Sequence, residues 1–258
     1  MNWTMVDEGW GRRAADFATL SEPSNCREYV FMHERLGIGS GDRLLDAACG
    51  SGLALELAAI RGATCAGIDA SHRLIAIAQD RSPASDIRVG DMNDLPWDDG
   101  AFDVVTSFRG IWGTTPDAMN SIRRVLAPGG RFAMTVWGNV GKSQGAWMFQ
   151  PFQWATEEKV ENQANMVSLG RPGVGEAFLD DHGFDPEERF EVPFFLEYAD
   201  PESYARGMAS TGPAYEAIQS IGPDKFHADA VALANDHVRS GLPLRGQIQL
   251  FGYVGVKR

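Results

Sequence analysis

The chain has 258 residues, 44% apolar and 22% charged, a balance that fits a globular protein of one elaborated domain or two small ones. At this length folding hides roughly 75% of the unfolded chain's surface, so a core forms without disulfides or a structural metal. The 23 Lys and Arg against 35 Asp and Glu give a net charge of -12, which repels phosphate backbones and anionic lipid heads and argues against nucleic acid or membrane as partners.

The opening MNWTMVDEGWGRRAADF places acids and glycine where a signal peptide needs an apolar run. No later stretch approaches the ~20 apolar residues of a membrane span. Cys26, Cys49 and Cys65 show no CxxC or Cys/His spacing, so neither a disulfide framework nor a zinc site is expected, and a cytoplasmic location fits.

From residue 26 helix-like and strand-like segments alternate, which predicts a parallel sheet flanked by helices. Residues 26–36 read as a helix stopped at Gly37, 43–48 as a strand, and LALELAAIRG as a helix ending at Gly62. Residues 63–69 are a second strand, followed by a helix N-capped by Ser71, with Pro83 after its end. Further strands are expected at 87–91, 101–108 and 130–137, with a helix at 116–126 and a turn at Ala127-Pro128-Gly129-Gly130. Residues 139–170 break the rhythm and predict a cap. A helix over 174–184, a strand over 187–198 that Pro193 weakens, and a final strand over 247–257 complete the pattern. The long excursion between those last two strands holds two helical stretches, ESYARGMAS and DKFHADAVALANDHVRSG, and predicts a lid.

Asp46-Ala47-Ala48-Cys49-Gly50-Ser51-Gly52 is a glycine turn between a strand and a helix, a place where backbone and unpaired helix N–H groups approach a ligand. A dinucleotide fingerprint would want a third glycine where Leu55 stands, which weakens a nicotinamide oxidoreductase reading. Asp69 ends the second strand, where a carboxylate accepts from a ribose diol or caps the helix at Ser71. Asp91 ends the third, where it accepts from an exocyclic amine or simply forms a turn.

Taken together, LLDAACGSG (44–52), GIDAS (67–71), GDMNDLPWDDGAFDVV (90–105) and RRVLAPGGRFAMTVWG (123–138) resemble the class I S-adenosylmethionine-dependent methyltransferases, of the small-molecule, ubiquinone/menaquinone type. The resemblance covers 26–138 strongly; 174–258 agree only in strand and helix order. It implies a Rossmann-like, doubly wound α/β sheet of seven strands, mostly parallel with an antiparallel last strand, plus helical cap and lid insertions. The domain division expected is an arm and cofactor core (1–138), a cap (139–170), and the rest of the sheet with a lid at about 200–244. S-adenosylmethionine is the implied cofactor and S-adenosylhomocysteine the product. In such proteins Asp46, Ala47, Ala48, Gly50 and Gly52 face the amino acid part of the cofactor, Asp69, Ala70 and Ser71 the ribose, Asp91 and Met92 the adenine, and Ser107 and Phe108 the methionine and sulfonium.

The signature of amino-group methylators after the fourth strand, Asn/Asp-Pro-Pro-aromatic, is replaced here by Ser107-Phe108-Arg109-Gly110, and no acidic triad of the magnesium-dependent members is present. Asp91, Asp94, Asp98 and Asp99 read as one adenine contact and a solvated turn, so no metal is expected. Transfer from a sulfonium asks mainly for orientation and exclusion of water, with a base where the acceptor is a hydroxyl. No general base is singled out: His33 and His72 read as solvated or capping, while His182, His227 and His237 are open alternatives. Trp147, Met148, Phe149, Phe152 and Trp154 in the cap pack a core, line an apolar acceptor pocket or make a homodimer contact. With Trp112, Phe194, Phe195 and Tyr198 they favour a small, mainly apolar or aromatic acceptor, O-methylation ahead of C- or N-methylation; Arg109 and Arg171 either hold an acidic group on that acceptor or, the favoured reading, are surface residues. A protein that binds the cofactor without methyl transfer is the remaining alternative.

Overall fold

A computed structural model describes residues 6–111, 116–155, 167–187 and 189–258. An arm of short turns (Asp7–Gly11, Ala14–Asp16, Phe17–Ser21, Glu22–Asn25) leads into α1 (Cys26–Leu36), β1 (Arg43–Ala47), α2 (Leu53–Ile60), β2 (Thr64–Asp69), α3 (His72–Arg81) and β3 (Asp86–Val89). Then follow β4 (Phe102–Phe108), α4 (Pro116–Val125), β5 (Leu126–Trp137) and two 3₁₀ turns of the cap, Val140–Lys142 and Ala146–Trp154. The remainder is α5 (Val174–Asp181), β6 (Phe184–Pro186), β7 (Phe190–Val192), β8 (Phe195–Tyr198), α6 (Pro201–Ala209), α7 (Gly212–Ile221), α8 (Pro223–Asn235), β9 (Leu244–Gln247) and β10 (Leu250–Lys257).

The ends of the helices are written in local chemistry. At the end of α1, Gly37 takes φ +63 and donates to Glu34 O, while Ile38 N returns to His33 O, so orphan carbonyls are satisfied. At the start of α3, Ser71 Oγ accepts from Leu74 N at 3.2 Å.

The main sheet has the order β3-β2-β1-β4-β5-β10-β6, and β7 joins β10 beside β6. Strands β1 to β5 pair in parallel, and β10 runs antiparallel to β5. Because strand side chains alternate, Leu44, Val104 and Ala133 face α1, α2 and α3, while Leu45, Val105 and Phe132 face α4 and α5. Both faces are covered, which is why the strands read as continuous apolar runs. The strand order reverses between β1 and β4, leaving a crevice at their carboxyl ends.

The strand expected over 187–198 is two. The break falls at Val192-Pro193-Phe194: a proline has no N–H for the ladder, and β8 leaves the sheet to pair with β9 in a separate hairpin. The final strand, expected over 247–257, is β10 and starts at Leu250; Gln247 instead ends β9, which pairs with β8 outside the main sheet. The lid holds three helices rather than two. The missed one, α7, opens on Gly212-Pro213, a pair that reads as a turn in sequence, although proline is well placed in a first helical turn. Tyr204, Ala214 and Phe226 of the three helices share one apolar cluster with Phe194, Tyr198 and Met148, so the lid is continuous with the α1–α3 side of the core.

Gly175, in the first turn of α5, offers a test of packing against propensity. A Cβ there would stand 2.2 Å from the Cζ of Tyr253, whose ring is fully buried and whose hydroxyl donates to Leu169 O at 2.6 Å. Gly175→Ala gains up to about 1 kcal/mol of helix propensity but forces the ring aside at about 1–3 kcal/mol. The expected net result is a lower urea midpoint with an unchanged m-value.

Candidate cofactor and acceptor site

Beyond β1 the backbone turns through three positive φ values, Ala48 (+67), Gly50 (+55) and Gly52 (+84). Ala48 N and Cys49 N both donate to Ile68 O, at 2.9 and 3.0 Å, which ties the turn to β2. A Cβ on Gly52 would lie 2.7 Å from Ala78 Cβ and 2.9 Å from Ala78 Cα, so the start of α2 presses on α3 backbone. Gly52 itself therefore makes the close helix contact that a dinucleotide fingerprint assigns to a third glycine, and Leu55 is a fully buried core residue. Across the crevice Ser107 Oγ donates to Ala47 O at 2.8 Å, and a Cβ on Gly110 would meet Ala48 Cβ at 2.7 Å. Phe108, also buried, lies edge-on to Tyr29 with ring centroids 4.7 Å apart.

Asp69 accepts from Gly50 N through Oδ2 at 2.9 Å and from Ser71 N through Oδ1 at 2.8 Å, one bond to each oxygen. Burial raises its carboxyl above the ordinary range, against the lowering effect of the two N–H groups. Asp46 is buried on β1, accepts from Thr106 Oγ1 at 2.8 Å, and is pushed by burial to about 8. Ala70 is half-buried between Asp69 and Ser71. Asp91 holds an Asx turn, its Oδ1 accepting from Asn93 N at 2.9 Å and Asn93 Nδ2 at 2.8 Å, and half-buried Met92 packs on the α4 side of the core. Trp112 lies outside the described residues.

The sequence reading missed what the N-terminal arm brings to the crevice. Glu22 is 1% exposed; its carboxylate accepts from Ser51 Oγ at 2.5 Å and from Leu53 N at 3.4 Å and pairs with Arg81. Asp7 accepts from Ser71 Oγ at 2.5 Å and sits 3.3 Å from His72 and 3.4 Å from Arg73. Phe17 covers Gly50 at van der Waals distance. Both acids occupy helix N-termini, where negative charge is favoured, yet the arm carries no periodicity that would reveal this in sequence.

Two residues read as solvent-facing are corrected. Arg109 is half-buried, with its side chain 17% exposed and paired with Glu28 of α1, which also accepts from Thr135 of β5. His33 is fully buried beside Phe108, ring centroids 6.0 Å apart, and burial lowers its imidazole to about 4. The other histidines lie apart from the crevice: His182 Nδ1 is 2.6 Å from Phe178 O, His227 pairs with Glu202, and His237 stacks on Trp147 at 3.9 Å.

The crevice is thus rich in carboxylates. Beyond burial, Asp46 feels Asp69, Glu22 and Glu28 unfavourably, and Asp69 feels Asp7 and Glu22, so each is harder to ionise. Such a site suits a ligand bearing positive charge, as S-adenosylmethionine does on its ammonium and sulfonium, and the glycine turn lets its main chain come close.

Residues 45–134 match the family model described as a methyltransferase domain. An uncharacterised methyltransferase of Synechocystis is 36% identical over 121 residues, 45% of this chain and 57% of its own length. The 27-O-demethylrifamycin SV methyltransferase of Amycolatopsis mediterranei is 27% identical over 245 residues, 86% of this chain and 84% of its own. Among solved structures the [4+2]-cyclase SpnF superposes with a TM-score of 0.57 at 20% identity, covering 90% of this chain and 81% of that one. Residues 45–134 are a methyltransferase domain of the class I S-adenosylmethionine-dependent type.

The buried Asp46 gives a pH test. Its carboxyl stands near 8 in the fold and near 3.8 otherwise, so between those values the unfolded chain has lost a proton that the native chain retains. Its contribution to stability therefore falls as pH rises across that interval. Asp46→Asn keeps the oxygen that accepts from Thr106 and removes the titration. Unfolding midpoints of this variant are expected to depend less on pH between about 5 and 8 than those of the wild type.

Proposed function

We propose that the protein transfers a methyl group from S-adenosylmethionine to a small, mainly apolar or aromatic acceptor, with a hydroxyl oxygen as the preferred target. One observation carries this reading: Arg109, the residue after Phe108 at the crevice, sets its guanidinium against the rings of Trp137 and Phe194, which belong to a cluster of aromatic side chains. Trp137 meets Phe149 at 5.4 Å and Phe194 at 5.2 Å, and Phe149 meets Phe152 at 5.4 Å. The names of the rifamycin relative and of a ubiquinone biosynthesis O-methyltransferase of Pseudomonas savastanoi, 32% identical over 131 residues, support an oxygen target on a ring-bearing acceptor.

The cofactor supplies an electrophilic methyl with its own leaving group. The chain's part is to bind, orient and keep water out. In this reading Asp69 takes the ribose hydroxyls with its remaining lone pairs, Asp91 and Met92 flank the adenine, the turn from Ala48 to Gly52 takes the amino acid end, and Ser107 and Phe108 border the sulfonium. Phe17 and Glu22 close the arm over the turn, and the cap and lid form the acceptor's wall. The cysteines, Cys26 half-buried and Cys49 and Cys65 buried, are unpaired, which favours the cytoplasm.

Mass spectrometry of ligands released from the purified protein, followed by labelled methyl transfer to phenols, tests the whole reading; retained cofactor without transfer would leave a binding role. Asp69→Ala removes charge-assisted bonds of about 1.5–3 kcal/mol each, so the dissociation constant for S-adenosylhomocysteine should rise roughly tenfold or more by calorimetry. An unchanged constant in a folded variant would return Asp69 to holding the turn alone.

The cap aromatics divide. Phe149 packs edge-on to Trp137, near Arg109, whereas Trp154 packs on Phe226 of α8 at 5.5 Å. Phe149→Ala is expected to raise the acceptor's KM while donor affinity stays within about threefold. Trp154→Ala is expected to lower the melting temperature, by up to about 3–5 kcal/mol of stability, with smaller kinetic change.

A further inference from the structure

Glu28 stands on α1 above the ends of β4 and β5, fully buried, and shares its carboxylate with two neighbours. Oε1 accepts from Thr135 Oγ1 at 2.5 Å and from Arg109 Nε at 3.2 Å. Oε2 lies 2.9 Å from Arg109 Nη2, an ion-pair distance without hydrogen-bond alignment, and among the described residues no donor points at it. A buried carboxylate oxygen without an aligned donor is costly, and such groups in native structures ask for an explanation.

Arg109 adds two observations. It holds φ +58, in the left-handed region that disfavours a residue with a Cβ, immediately after Phe108. Its guanidinium carbon stands 5.1 Å from the Trp137 ring and 5.0 Å from the Phe194 ring, both part of the aromatic cluster described above. Strain retained at a strand end beside a ligand crevice is a pointer to function. The pair is neutral as a whole, presenting a donor and an acceptor side by side in aromatic surroundings. That arrangement suits a phenolic hydroxyl, which donates and accepts at once; a carboxylate would meet Glu28 as a like charge.

We propose that Glu28 is the general base of this protein and Arg109 the residue that positions the acceptor, the acceptor being a neutral phenol whose hydroxyl donates to Glu28 Oε2. This rests on the methyl-transfer reading above. As the acceptor's O–H bond breaks, its proton passes to Oε2; the oxygen's electron pair forms the bond to the methyl carbon while that carbon's bond to sulfur breaks, its pair remaining on sulfur. Arg109 balances the negative charge throughout, and the protonated Glu28 returns its proton to water when product leaves. Burial makes the Glu28 carboxyl harder to ionise than usual, while Arg109 and Thr135 act the other way. The other ionisable groups that feel it are Tyr29, one residue along α1, and Asp46 on β1.

The test uses the full chain loaded with S-adenosylhomocysteine and 4-nitrophenol, whose neutral and ionised forms differ in visible absorption. In the wild type the bound probe should stay neutral; in Glu28→Gln, Arg109 loses its anion and the probe's apparent pKa should fall by about one unit or more. In turnover, Glu28→Gln should slow 4-methylphenol about 100-fold and 4-nitrophenol at least about tenfold less than that, since the stronger acid needs the base less. Equal losses for both phenols with unaltered probe ionisation would mean a structural role and overturn the proposal. Should Glu28→Gln not fold, Thr135→Val removes a donor from the carboxylate and should move the acid limb of the pH–rate profile for 4-methylphenol upward; an unmoved limb overturns it as well. Protein that binds S-adenosylhomocysteine but neither phenol, or that binds benzoate more tightly than phenol, refutes the proposal and leaves the cofactor reading standing. Failure to bind S-adenosylhomocysteine would remove both.

Discussion

Leu44, Leu45 and Asp46 pair with Val104, Val105 and Thr106, and the site depends on this parallel ladder. The chain leaves β1 toward α2 on one face of the sheet and reaches α4 on the other after β4, so the two connections diverge and a crevice opens between them. The ladder also sets Asp46 opposite Thr106, which supplies the hydrogen bond that a buried carboxyl requires. Where the ladder ends, the backbone must turn sharply without filling the crevice. Small residues make that possible: Ala48 and Gly110 approach so closely that a side chain on Gly110 would collide with the Ala48 methyl.

Around this crevice the protein accumulates buried negative charge that serves stability poorly. Asp46, Asp69, Glu22 and Glu28 are all harder to ionise than in water, with burial the leading cause in each case. Hydrogen bonds and the cations of Arg81 and Arg109 offset only part of that desolvation. A core built for stability alone would place apolar side chains there. These acidic groups are the ones that the cationic cofactor and the proton-bearing acceptor of the proposed reaction would meet.

The arm, cap and lid pack on one another. The arm anchors itself by acids at the starts of α2 and α3, through Glu22 and Asp7, and Trp10 lies so close to Gly212 that a Cβ there would reach its indole nitrogen. The lid's helices bury Tyr204, Ala217 and Ala230 completely, and Tyr204 donates its hydroxyl to Met148 O of the cap at 2.9 Å. Arm, cap and lid are therefore linked to one another as well as to the sheet.

Sequence alone determined the alternation of β1 to β5 with their helices, because period-two and helical patterns, Gly37, Ser71 and the glycine turn each encode a local geometry. The strand-end carboxylates Asp46, Asp69 and Asp91 were legible for the same reason. What it left undecided involves partners distant along the chain. The division of the strand at Pro193 depends on β9, about fifty residues later, claiming Phe195 to Tyr198. Whether Arg109 faces water or a carboxylate depends on Glu28, which only the crossing of α1 over β4 and β5 brings to 2.9 Å. His33 and Glu22 became interior residues through the same packing. Local pattern specifies which way a side chain points relative to its own element, but burial and charge pairing are properties of two surfaces meeting, and only the tertiary structure decided those.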